Sequence, residues 1–174
     1  EAIIRANIEK YKMLIANGEE KSAAYIHPLI RTAEACFQSS LKAVELAEKT
    51  GARLHVMHVS TRDELALFRS DIPLKDKKIT AATCPHYLNL NSDYYEEKGY
   101  RIKCNPAVKT EMDRAALVEA LREGLIDTIG TDHAPHAKEE KFKDDYFTCP
   151  SGFPSIQHSL LLMLRLHGMG WLRM

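Results

Sequence analysis

Asp132, His133 and His136 fall within five residues of each other in Gly130-Thr131-Asp132-His133-Ala134-Pro135-His136-Ala137-Lys138-Glu139-Glu140-Lys141. A carboxylate beside imidazoles can move protons or hold a divalent metal. The preceding Leu125-Ile126-Asp127-Thr128-Ile129-Gly130 reads as a buried strand, because β-branched and aliphatic residues fill a run too short for a helix. Asp132 then lies at the C-terminal end of a strand, where parallel α/β architectures collect ligands and catalytic groups.

Two further histidines occupy equivalent places. His58 follows the alternating run Leu54-His55-Val56-Met57, and His86 follows Lys78 to Cys84 and Pro85. Two imidazoles and a carboxylate on one rim suit zinc, which takes nitrogen and carboxylate ligands and lowers the pKa of a bound water toward neutrality. Asp132 could accept a proton from that water and pass it to a leaving nitrogen, so the implied chemistry is metal-assisted hydrolysis. Spacing alone leaves plain packing open for His58 and an ordinary turn open for His86. Strand alternation puts His55 with Met57 on the face opposite His58, which makes His55 structural. His133 reads as a group behind the metal ligands and His136 as a substrate contact. Asn105, before Pro106, is either a turn former or a hydrogen-bonding group over the same mouth, and Lys138 to Lys141 reads as a solvated charged surface.

The elements that must position these residues alternate. Ile4, Ile8, Tyr11 and Ile15 mark one face of an opening helix ending by Asn17-Gly18. A longer helix follows Pro28, with Ala33, Phe37, Leu41 and Val44 as its buried stripe and Gly51 as its C-terminal cap. Strands are expected at Leu54–Val59, Lys78–Cys84, Tyr100–Cys104 and Leu125–Gly130. Between and after them come a helix opened by the capping-box pattern Thr61-Arg62-Asp63-Glu64, a short turn at Ser92–Lys98, a helix at Glu111–Arg122 capped by Thr110, and a last helix at Ser155–Leu166. This order predicts an α/β fold with a parallel sheet and right-handed crossovers, four βα units amounting to half of a (β/α)₈ barrel. A complete barrel takes roughly 250 residues and the chain has 174, so it reads as one partial barrel domain over residues 1–174, a fragment.

Composition excludes other classes. Lys and Arg number 24, Asp and Glu 24, giving a formal net charge of zero, which implies no general attraction to nucleic acid or an anionic membrane. The longest apolar stretch, around Leu160–Leu164, is too short to span a bilayer. The cysteines Cys36, Cys84, Cys104 and Cys149 form no Cys-x-x-Cys pair, so reduced thiols in a cytoplasmic protein are the expectation.

Taken together, these residues resemble the cyclic amidohydrolases of the amidohydrolase superfamily, and most closely the dihydroorotase branch. The resemblance rests on Thr131-Asp132-His133-Ala134-Pro135-His136 with Glu139-Glu140-Lys141, on His58-Val59-Ser60-Thr61, and on Thr83-Cys84-Pro85-His86-Tyr87-Leu88. His27-Pro28-Leu29-Ile30-Arg31, Lys103-Cys104-Asn105-Pro106 and Pro150-Ser151-Gly152-Phe153-Pro154 support it. It implies a zinc-dependent, reversible interconversion of N-carbamoyl-L-aspartate and L-dihydroorotate in pyrimidine biosynthesis. His58 and His86 would be metal ligands from the fifth and sixth barrel strands, and Asp132 the eighth-strand ligand and proton shuttle. Asn105 and His136 would contact the substrate, His136 near its carboxylate, and the backbone at Gly152 and Phe153 would bond the ring amide. A small-molecule substrate, no nucleic-acid or membrane partner, and self-association through exposed strand edges complete the expectation.

The sequence departs from that family pattern in three places. The first-strand His-x-His pair with its substrate-holding arginine does not occur, nor does the bridging ligand of the fourth strand, expected just before Glu1. Asn105-Pro106-Ala107-Val108-Lys109 stands where the family often has a second proline and an arginine. The expected metal site is therefore incomplete and the isolated segment inactive. Allantoinase and dihydropyrimidinase share fold and chemistry and remain alternatives, as does a non-catalytic structural homologue.

Overall fold

The computed structural model of the protein describes residues 1–143 and 145–172. Helix α1 (Ala2–Ala16) presents Ile4, Ile8, Tyr11 and Ile15, as their spacing predicts, to a small cluster of Ile26, Ile30 and Tyr146. A 3₁₀ turn at Ala24–Ile26 leads into α2 (His27–Ile30). Helix α3 (Ala33–Thr50) starts at Thr32, whose side chain accepts from the Ala35 N–H, and ends at Gly51, left-handed at φ 72°. Its buried face is Ala35, Ser40, Val44 and Ala47, so of the expected stripe only Val44 is fully buried. The helix is turned toward Ser40 because that hydroxyl donates to the buried Glu64 carboxylate at 2.6 Å.

Strand β1 (Leu54–Val56) is followed by the Thr61–Glu64 pairing, in which the Thr61 hydroxyl donates to Glu64 and accepts from the Glu64 N–H. These bonds close a 3₁₀ turn over Asp63–Leu67 where an ordinary helix was expected. Strand β2 (Ile79–Thr83) leads into α4 (Pro85–Asn89), with Pro85 in the first helical position, and α5 (Tyr94–Lys98) comes next. Helix α6 (Glu111–Arg122) carries a full capping box between Thr110 and Asp113. Strand β3 (Thr128–Ile129), α7 (Lys138–Lys141) and α8 (Ile156–Gly168) complete the described elements.

The sheet is parallel with order β1-β2-β3, pairing Leu54 with Ile79, Val56 with Ala81, Ala82 with Thr128 and Thr83 with Ile129. The strand expected at Tyr100–Cys104 is not one. Gly99–Ile102 forms a 3₁₀ turn, and β2 pairs directly with β3, so no ladder position lies between them. Lys103 has also committed its backbone elsewhere: its N–H donates to Tyr100, and its carbonyl accepts from Gly152 N–H at 2.8 Å and Lys141 Nζ at 2.9 Å. The chain crosses from β2 to β3 through α4, α5 and α6.

The main core gathers Val59, Ala81, Cys84, Tyr87, Leu88, Val108, Leu117, Ile126 and Leu166 between sheet and helices. Beneath it Lys77 Nζ meets Asp127 Oδ1 at 2.6 Å and the Gly124 carbonyl at 2.8 Å, while Asp127 Oδ2 accepts from the Ala81 N–H at 2.9 Å. This buried pair joins the start of β2 to the entry of β3. Among the described residues no helix is long and apolar enough to cross a membrane.

Candidate metal and substrate site

All three candidate ligands lie just past the C-terminal ends of the parallel strands. His58 and Asp132 are half-buried and adopt φ 47° and 48°, the two non-glycine positive φ values among the described residues. Such backbone costs of order 1 kcal/mol or more and persists where surrounding structure imposes it. His86, in the first turn of α4, is 3 % exposed, and neither ring nitrogen has a hydrogen-bond partner. It is the sole described side chain left in that condition.

The rings around His86 are apolar. Tyr87 lies 4.2 Å and Phe153 4.9 Å from it between ring centroids. Burial, with a smaller contribution from the His58 charge, pushes the His86 pKa down to about 3, so the imidazole is neutral at physiological pH, the form that ligates a metal. Asp132 reaches the same neighbourhood: burial chiefly, with the Asp132 charge second, pushes the Cys84 thiol up to about 12.

Two buried nitrogens without partners beside a second histidine and a carboxylate are a donor set that a borderline divalent ion would satisfy. Among the described residues no group of three or more His, Cys, Asp or Glu is gathered closely enough to hold an ion by itself. The fit is that of part of a ligand set.

The residues expected at the substrate are distributed around this rim. Asn105 is exposed, next to the cis Asn105-Pro106 peptide, and lines a cavity of about 440 Å³ together with His58. His136 Nε2 lies 3.1 Å from the Ser151 carbonyl, with Nδ1 3.8 Å from Glu140. Gly152 adopts φ 125°, and a Cβ there would come within 2.7 Å of Ala134 and 3.2 Å of His136 Nε2. Its N–H is used on the Lys103 carbonyl, and the Phe153 carbonyl accepts from Ala134 at 3.2 Å. The Gly152 carbonyl and Phe153 N–H are left without partners among the described residues.

His133 has a definite task. Its Nδ1 accepts from the N–H groups of Ser155 at 3.0 Å and Ile156 at 3.3 Å, capping α8 in place of the Ser155 hydroxyl, which donates to the Thr131 carbonyl.

Lys141 corrects the reading of 138–141 as wholly solvated surface. It is 7 % exposed and donates to the Lys103 and Pro150 carbonyls, both at 2.9 Å. Lys103, also buried, donates to the carbonyls of Tyr146 at 2.6 Å and Cys149 at 2.5 Å, and burial pushes its pKa down to about 8. These ammonium groups staple the Tyr146–Gly152 loop beside Asn105. Nothing in the charge pattern distinguished Lys141 from its exposed neighbours.

His27 was likewise unassigned. It is fully buried, with Nδ1 2.8 Å from the Tyr146 hydroxyl and Nε2 2.7 Å from the Cys104 carbonyl, and burial pushes its pKa down to about 3.

No family model matches the chain. The dihydroorotase of Geobacter sulfurreducens is 38 % identical over 128 residues, which are 74 % of this chain and 30 % of that protein. The allantoinase of Bacillus velezensis is 34 % identical over 141 residues, 78 % of this chain and 30 % of that protein. The chain belongs to the cyclic amidohydrolases. Among solved cyclic amidohydrolases, the L-hydantoinase (dihydropyrimidinase) of Arthrobacter aurescens superposes with TM-score 0.85 at 27 % identity, over 100 % of this chain and 38 % of that one. The chain thus spans about a third of the length of the cyclic amidohydrolases it matches, and its parallel sheet corresponds to part of their barrel.

Proposed function

We propose that this chain carries the metal-binding and proton-transfer corner of a zinc-dependent dihydroorotase, which opens and closes the ring between L-dihydroorotate and N-carbamoyl-L-aspartate in de novo pyrimidine biosynthesis in the cytoplasm. The observation that carries the proposal is the buried His86 ring, orphaned at both nitrogens, beside His58 and Asp132 on one strand-end rim.

In this reading His58, His86 and Asp132 hold the ion. Zinc, when bound there, polarises a carbonyl and lowers the pKa of a coordinated water. The residues do the rest. Asp132 takes the proton at a carboxylate oxygen and returns it to the leaving ring nitrogen. The ring amide has one N–H and one carbonyl, and the unpartnered Gly152 carbonyl and Phe153 N–H are their complements. Phe153 and Tyr87 keep water from the His86 side of the site. Asn105 and His136 contact the substrate.

The activity is tested with the protein that carries this chain, loaded with zinc and offered dihydroorotate, allantoin and hydantoin in parallel. Turnover of dihydroorotate that is lost in His86→Asn supports the proposal. Preference for allantoin or hydantoin would replace dihydroorotate as substrate, and zinc stoichiometry unchanged in His86→Asn would remove the metal role. The segment in isolation is expected to be inactive, since its donors form only part of a set.

A further inference from the structure

Lys103 is 5 % exposed and grips the Tyr146–Phe153 loop at positions 146, 149 and 152. Its ammonium donates to the Tyr146 carbonyl at 2.6 Å and the Cys149 carbonyl at 2.5 Å, and its own carbonyl accepts from the Gly152 N–H at 2.8 Å. The same ammonium lies 4.1 Å from the centroid of the Tyr146 ring. Buried and engaged in this way, it acts through the loop and not on a substrate.

Both ends of this connection belong to the site. Asn105 follows Lys103 by two positions. The carbonyl of the intervening Cys104 is 2.7 Å from His27 Nε2, and His27 Nδ1 is 2.8 Å from the Tyr146 hydroxyl, so the Asn105 segment is tied to the loop a second time. Lys141 Nζ adds a clasp between the Lys103 and Pro150 carbonyls, 2.9 Å from each. On its other side the loop meets the Asp132 segment: the Phe153 carbonyl accepts from the Ala134 N–H at 3.2 Å, and His136 Nε2 lies 3.1 Å from the Ser151 carbonyl. Between these anchors are the Gly152 carbonyl and the Phe153 N–H, without partners among the described residues. Without the ammonium, the Tyr146 and Cys149 carbonyls lose the donor that each uses, and buried carbonyls deprived of donors shift to recover one.

We propose that Lys103 is a positioning residue: its ammonium and its carbonyl together fix where the Gly152 carbonyl and the Phe153 N–H stand relative to Asn105. The inference rests on the cyclic amidohydrolase reading, in which those two backbone groups bond the ring amide, and deepens it by naming the side chain that aims them. A backbone pair recognises an amide only when both groups line up with the ring N–H and carbonyl, because hydrogen bonds weaken steeply with angle. Loosening the loop therefore blurs the distinction between a ring that offers an N–H and one that does not. Among the described residues Lys103 bonds none of His58, His86 and Asp132, so the metal ligands keep their places.

The test uses the zinc-loaded protein that carries this chain and two probes: orotate, whose ring carries N–H groups, and its N,N-dimethyl derivative, whose ring carries none. By calorimetric titration the parent is expected to bind orotate about tenfold tighter, the worth of one or two hydrogen bonds. Lys103→Met should bring the two probes to within about threefold and speed hydrogen exchange at the Gly152 amide by about tenfold or more, with zinc stoichiometry and circular dichroism unchanged. Lys103→Gln keeps a polar head in the buried site but is too short to reach both carbonyls, and it gives the same readings if Lys103→Met does not fold. Full discrimination between the probes in a folded variant, or unchanged exchange at Gly152, would overturn the inference and leave the ring-amide contact standing. Equal binding of the two probes by the parent would remove that contact and the task of Lys103 together. Dihydroorotate turnover by the parent reads the hydrolase assignment apart from both.

Discussion

His58 and Asp132 share one backbone conformation, left-handed at φ 47° and 48°, although they follow different strands and lie 74 positions apart. Both turn the chain sharply just beyond the sheet, which presents each side chain over the strand ends. Asparagine tolerates this region and β-branched residues do not. His58→Asn and Asp132→Asn should therefore keep the fold within about 0.5 kcal/mol. His58→Val should cost about 1–3 kcal/mol more than His58→Asn. Urea denaturation midpoints decide it, and equal midpoints for Val and Asn at position 58 would mean that the turn is not strained.

Gly152 has no room for a side chain, with Ala134 2.7 Å from where a Cβ would stand and φ at 125°. Gly152→Ala should destabilise by about 1–3 kcal/mol and shift the His136–Ser151 contact. A melting temperature and His136 ring spectrum identical to the parent's would contradict this placement.

His27 and His86 are both buried neutral, with pKa values pushed down to about 3. The unfolded chain protonates them near 6.5, so between about 3 and 6.5 the unfolded state binds more protons. Stability is then fully present above about pH 6.5 and declines as pH falls, by up to about 1.4 kcal/mol per pH unit for each histidine. Urea titrations from pH 7 to pH 4 should show this fall, and His27→Gln should lessen the slope without abolishing it. A pH-independent midpoint over that range would remove the argument.

The Lys77–Asp127 pair is 4 % exposed on both sides. Lys77→Met leaves a buried carboxylate unpaired and should cost about 3–5 kcal/mol. Adding Asp127→Asn should recover much of the loss, because the Asn carbonyl can still accept the Ala81 N–H. Additive losses in the double variant would show that the two residues act separately.

Much of this was legible in the sequence, and the failures have physical causes. The α1 stripe, the Thr110 capping box and the Gly51 cap depend on contacts a few residues apart, and the structure matches them. The supposed strand at Tyr100–Cys104 has strand-like composition, but its place is decided by distant partners: β3 occupies the edge of β2, and Gly152 and Lys141 take the Lys103 carbonyl. The burial of Lys141 was hidden for the same reason. An ammonium solvated by carbonyls leaves no charge partner in the sequence to signal it. The strand-end positions of His58, His86 and Asp132 could be read because a strand's C-terminal boundary is a local property. The missing partners of His86, by contrast, emerged only in three dimensions.

The capping of α8 by His133 fixes more than a helix end. Two backbone N–H groups point at Nδ1, so that nitrogen must keep its lone pair, and the proton of the neutral ring resides on Nε2. The imidazole next to Asp132 therefore has a single tautomer, and at Nε2 it can offer a hydrogen bond but cannot receive one.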